Sequence, residues 1–148
     1  MAITQENAAN CTPNTAMGES VLRCGHAQYS FAVDGGAQST ITMASNCTIP
    51  ANAVVMNAGI NSSTACAGAT ATIAVGLSAG GGGTTSLLGA TAVASFTTNA
   101  KLQSAIVPQT ASGWLKLSAA AQVTVTIATA NLTAGIIEIY VFYYVSST

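Results

Sequence analysis

The sequence predicts an all-β protein: a single β-sandwich, jelly-roll-like, with an extended N-terminal arm. Three observations predict it. Apolar residues alternate with Thr, Ser and Ala at the two-residue period of a half-buried strand. Seven or eight such segments recur at roughly 10–20-residue spacing, separated by turns rich in Gly, Asn and Pro, as in sandwiches and jelly rolls. No segment holds the helical period over the length of a long helix.

Residues 1–26 lack sustained alternation and are punctuated by Pro13, Gly18 and Gly25. They hold Glu6, Glu19, Arg23 and the single histidine, His26. This segment is expected to be an arm laid over a neighbour, with residues 27–148 forming the sandwich. Strand alternation begins with Tyr29, Phe31 and Val33 against Gln28, Ser30 and Ala32, ending at the Asp34-Gly35-Gly36 turn. Ile41 and Met43 alternate with Thr40 and Thr42. Thr48-Ile49-Pro50-Ala51-Asn52 reads as a bend, because Pro50 has no amide proton to give a ladder.

Val54, Met56, Ala58 and Ile60 are then expected to face inward, with Val55, Asn57 and Asn61 outward. Ala71, Ile73, Val75 and Leu77 repeat the pattern. Gly80 to Gly83 reads as a mobile loop tip; without a following Lys it is no phosphate cradle. Leu87–Ser95 fits a short helical turn and an edge strand equally. Leu115 and Leu117 point inward, as do Val123, Val125 and Ile127. After the turn at Asn131–Gly135 comes the strongest strand, Ile136 to Val145, apolar on both faces. Ile137, Ile139, Val141, Tyr143 and Val145 occupy one face, and Ile136, Tyr140, Phe142 and Tyr144 the other. A strand apolar on both faces is either the centre of a sandwich covered on each side or one that turns Tyr140, Phe142 and Tyr144 into an intersubunit contact. These three are the candidate subunit interface, since tyrosine joins a large apolar area to one polar tip.

Composition narrows the function. Ala, Thr, Ser and Gly supply 77 of the 148 residues, charged residues only 5%, and the formal net charge is −1. From Gly35 to Ala100 no residue is charged. Three cations cannot neutralise a phosphate backbone, so no nucleic-acid partner is expected. A surface with so little repulsion favours association with copies of itself or with a larger assembly. The start carries no basic and apolar signal-peptide pattern. Ala119–Val145 is long enough to span a bilayer, but polar residues interrupt it at a period of two, so strands are expected and no membrane contact.

No chemistry stands out. Cys24 and His26 lie two apart without a third orienting group, and Asp34 and Glu138 are the carboxylates nearest to a pair. No enzyme activity, catalytic residue, cofactor or metal site is expected. Thr40/Thr42, Thr70/Thr72 and Thr124/Thr126 are too few and too irregular for an ice-binding array. Cys11, Cys24, Cys47 and Cys66 allow three disulfide pairings, among them Cys11–Cys24 with Cys47–Cys66; free buried thiols are the other reading.

From about Ser39 onward the order of features resembles small bacteriophage virion proteins of the head-decoration (cement) and head-fibre type. Thr48-Ile49-Pro50-Ala51-Asn52-Ala53-Val54-Val55, Ala71–Leu77, Leu87-Leu88-Gly89-Ala90, Val123–Ile127, Leu132–Gly135 and Tyr140–Val145 carry the resemblance. It implies a homo-oligomer, often a trimer, that binds the major capsid protein outside the shell and clamps neighbouring capsomers. Its place would be the virion surface after synthesis in the host cytoplasm. A tail or head-fibre adhesin module binding host surface glycan is the alternative, and the major coat of a small virus a third reading.

Overall fold

Val, Ile and Thr favour pleated, half-buried surfaces, and in the computed structural model they build strands throughout the described residues, 22–43, 47–103 and 114–145. In chain order the strands are β1 (Arg23–Ser30), β2 (Ser39–Thr42), β3 (Thr48–Ile49), β4 (Ala53–Ala67), β5 (Thr72–Leu77), β6 (Leu88–Ala92), β7 (Ala100–Gln103), β8 (Leu115–Lys116), β9 (Ala121–Ala128) and β10 (Ala134–Val145). They form two five-stranded antiparallel sheets. The first runs β1-β10-β4, with β7 and β8 end to end along the far edge of β4. The second runs β9-β5-β6, with β2 and β3 end to end along the free side of β9. Taking each end-to-end pair as one interrupted strand, the orders are 1-8-3-6 and 2-7-4-5. That is the path of two interlocked Greek keys in a jelly-roll-like sandwich.

The core lies between the sheets. Ala27 and Tyr29 of β1 and Ile137, Ile139, Val141 and Tyr143 of β10 are buried on one side. Ile73, Val75 and Leu77 of β5 and Val123, Val125 and Ile127 of β9 meet them from the other. These positions follow the alternation read from the sequence.

Four local readings change. Strand β1 begins at Arg23, so residues 23–26, expected in the arm, already belong to the first sheet; residues 1–21 lie outside the described residues. The strand also stops at Ser30. Phe31–Asp34 is a single helical turn (α1), which Asp34 stabilises by accepting the Ser30 N–H at 2.8 Å. Gly35 closes it at φ 77, a conformation side chains disfavour, and its N–H returns to the Phe31 carbonyl. Val33, expected inward, is therefore exposed.

In β4 the parity shifts. The register against β10 slips between Phe142 and Tyr143, which makes a bulge at Met56. Val55 is fully buried and Met56 exposed, the reverse of the expectation, while Ala58 and Ile60 point inward as read. The glycine run does not project as a free tip. Leu77 and Ser86 donate to the Gly83 carbonyl, and Ser118 donates to that of Gly80. The loop main chain lies where a Gly76 side chain would stand, so only glycine fits at that position of β5. Leu88–Ala92 forms an edge strand and Val93–Ser95 a 3-10 turn, so both readings of that segment hold in succession.

Cys24 is an exposed free thiol, and Cys47 and Cys66 are buried free thiols. The Cys47 sulfur fills the space beside Gly25, and that of Cys66 the space beside Gly135. Gly25 pairs with Val141, six residues along β10 from Gly135, about 20 Å at strand rise. A Cys47–Cys66 bridge is out of reach at that separation. Cys11 lies outside the described residues.

Tyr29 is fully buried and its hydroxyl donates to the Gly35 carbonyl at 2.7 Å, tying β1 to the turn that follows it. Burial, with smaller contributions from Cys66 and Asp34, pushes its pKa up to about 12 from 10.0. Burial likewise raises Cys47, Cys66 and Tyr143. Each of these groups loses its proton sooner in the unfolded chain. Their stabilisation is complete below the unfolded pKa and is lost as pH rises through the folded one. Stability measured by urea unfolding should therefore fall as pH climbs from 9.0 towards about 12. Tyr29→Phe should cost about 0.5–1.5 kcal/mol at neutral pH and flatten that alkaline fall; an unchanged slope would show that Tyr29 is not its source.

Candidate functional site

Because side chains alternate across a strand, the inward set on β10 forces Tyr140, Phe142 and Tyr144 to the outer face of the first sheet. Cross-strand register then arranges that face in rows. Cys24, Phe142 and Asn57 form one, and His26, Tyr140 and Gly59 the next. Gln28, Glu138, Asn61 and Lys101 form a third. The three expected interface residues thus share one surface. Tyr140 is 38% exposed, and Phe142 and Tyr144 are half-buried.

Two further apolar residues join them. Trp114, 58% exposed, packs edge-on to Tyr144 with ring centroids 6.3 Å apart. Met56, 37% exposed, is turned outward by the bulge. Trp114 was legible as the outward neighbour of the inward Leu115. Met56 was not, because its orientation depends on a register slip that no local pattern shows.

The centre of the face is a shallow depression of about 560 Å³. Gly59 forms its floor, with Tyr140, Phe142, Asn57, Asn61 and Lys101 around it. A Cβ at Gly59 would meet nothing within 4 Å, so the space above this residue is open. Beside it stands an ordered polar cluster. His26 Nε2 lies 2.5 Å from Glu138 Oε2, and the His26 ring stacks on Tyr140 at 4.8 Å. Gln28 Nε2 donates to the other Glu138 oxygen. The pair is surface-exposed on the histidine side, so it orients the Tyr140 ring and adds little stability.

The opposite outer face has a different character. Thr40 and Thr126 share a hydroxyl contact at 3.0 Å, Ala74 and Gly76 are buried, and the glycine loop covers part of the sheet.

Chemically, the aromatic face offers rings, amides and two cations, Lys101 and Lys116. Burial raises the Cys24 thiol, the opposite of the shift that activates a nucleophile. His26 is engaged by Glu138 and Tyr140, and the Asp34 carboxylate by Ser30. Among the described residues no group of three His, Cys, Asp or Glu side chains is placed to hold a metal ion.

Among solved structures, three that share this fold come from phage heads. A chain of the Cyanophage Pam1 capsid asymmetric unit superposes with a TM-score of 0.60 at 19% identity, covering 91% of this chain and 99% of that one. A chain of the acid-stable capsid of Helicobacter pylori bacteriophage KHP30 gives 0.57 at 15% identity, covering 86% and 90%. A chain of the Ralstonia phage GP4 capsid gives 0.53 at 15% identity, covering 95% and 96%. At these identities the likeness is one of fold, and it spans nearly the whole of each chain. No protein-family model matches the sequence, and no curated protein matches it.

Replacing Gly59 tests the openness of the hollow. Gly59→Ala should raise stability by roughly 0.5–1 kcal/mol, the usual cost of glycine within a strand, as read by chemical denaturation. A loss of stability would show the floor to be packed.

Proposed function

We propose that this protein is a structural component of a phage virion that decorates the head. Its bare aromatic face docks on the major capsid protein, and its copies bridge neighbouring shell subunits at the capsid surface. The observation that carries this reading is the asymmetry of the sandwich. One outer face is covered by small residues and its own loop, while the other leaves Trp114, Tyr140 and Met56 in water, with a hollow beside Tyr140. A soluble chain with few charges gains by burying such a surface against protein. The fold likeness to chains of similar extent in three phage capsid structures supports the same reading. The scarcity of cations favours a position away from the genome and disfavours the major-coat reading.

A hollow lined by a tyrosine ring, two amides and a lysine also has saccharide-binding chemistry, which keeps the glycan-binding adhesin as the second reading. Co-sedimentation with phage heads lacking the protein separates the two. Saturable binding at a fixed ratio to the shell subunit is expected, little changed by added salt because the contact is apolar. Each buried ring contributes about 1.5–3 kcal/mol, so Tyr140→Ser with Trp114→Ser should weaken binding at least about tenfold while leaving the fold intact. Variants that bind heads as tightly as the parent, or binding to host cells and not to heads, would overturn the decoration reading.

A further inference from the structure

Strand β1 is the outermost strand of its sheet: β10 lies on one side, and among the described residues no strand lies on the other. Among the described residues it is the longest uninterrupted edge of the sandwich. The edges β2/β3 and β7/β8 are each two short pieces, and β6 is five residues long opposite an irregular register. Long edges are ordinarily blunted by lysine, proline or a bulge. The eight residues of β1 contain neither lysine nor proline and keep one register throughout.

One hydrogen bond reveals which main-chain groups the edge presents. The Ser30 N–H donates to Asp34 Oδ2 at 2.8 Å and so is turned away from β10. Residues two apart in an antiparallel strand turn their N–H and C=O the same way. Cys24, His26 and Gln28 therefore offer theirs to the open side, while Gly25, Ala27 and Tyr29 serve β10. Asp34 closes the edge at Ser30, which leaves a window centred on His26. An exposed apolar residue stands beyond each end: Leu22, 62% exposed, before the strand, and Val33, 84% exposed, in the turn after it.

We infer that two copies pair through this edge, β1 against β1, antiparallel about a two-fold axis at His26. Cys24 then faces the partner's Gln28, and His26 faces the partner's His26. These three facing positions exchange about six N–H···O=C bonds. Leu22 comes opposite the partner's Ser30, at the end where the partner's Val33 stands, so the apolar ends close on each other. A self-complementary window of this kind is what an isologous contact requires. The axis is perpendicular to the sheet, so both aromatic faces point the same way and form one continuous surface. The contact is two-fold, unlike the trimer implied by the head-decoration resemblance, and it stands whether or not the face binds a capsid.

Sedimentation equilibrium of the full chain tests the pairing, with a reversible monomer–dimer equilibrium expected. Proline is tolerated where the N–H points away from the ladder, so Gln28→Pro should keep the parent circular dichroism. Each copy loses one edge donor at about tenfold, so association should weaken about 100-fold. Gln28→Cys supplies a second readout. Oxidation should link it to the partner's Cys24 and give a dimer band without reductant, a band absent from the Gln28→Cys variant that also carries Cys24→Ser. A parent chain that stays monomeric at every concentration, or a failure of Gln28→Cys to cross-link, would overturn the pairing.

Discussion

The β10 ladder is the constraint on which the molecule depends. β10 is hydrogen-bonded on both sides, to β1 and to β4, and a slip of one residue would carry every side chain to the opposite face. With Ile137, Ile139 and Val141 fully buried between the sheets, that slip is closed off. The same restriction holds the aromatic residues of β10 outside. Core and aromatic face are thus two consequences of one register. The bulge at Met56 lets β4 keep Val55 and Ala58 both inward while following β10.

The small-residue composition acquires a structural reason on the second sheet. A loop main chain can lie directly on β5 only because Gly76 has no side chain, and Thr124 beside it is buried. Ala and Gly there allow the chain to cover its own sheet at close range. On the first sheet the same economy has the opposite effect: Gly59 leaves open space beside Tyr140 and Phe142. One composition produces a sealed face and an open one.

Charge is sparse, and its placement is consistent with contact. Glu138 and Asp34 are engaged within the subunit, one orienting His26 beside Tyr140 and the other capping the end of β1. Lys101 and Lys116 lie on β7 and β8, along one border of the aromatic face, while Arg23 opens β1 along the other. A polar rim around an apolar centre is the usual anatomy of a protein interface.

Much of this was legible locally. Period-two alternation placed the inner residues of β5, β9 and β10, and it put Tyr140, Phe142 and Tyr144 together on the other face of β10, because side-chain parity is a local property of a strand. That this face lies open to water is decided by the packing of the sheets. Features that depend on contacts between distant segments were not legible. The turn at Phe31–Asp34 overrode an alternation that ran on to Val33, since a carboxylate and a glycine outweighed the pattern. The bulge at Met56, the separation of Cys47 from Cys66 and the sealing of Gly76 arise from pairings between residues far apart in the chain. The strand order belongs with them: alternation says which way a residue faces, whereas the neighbour it meets is chosen by the packing of one sheet on the other.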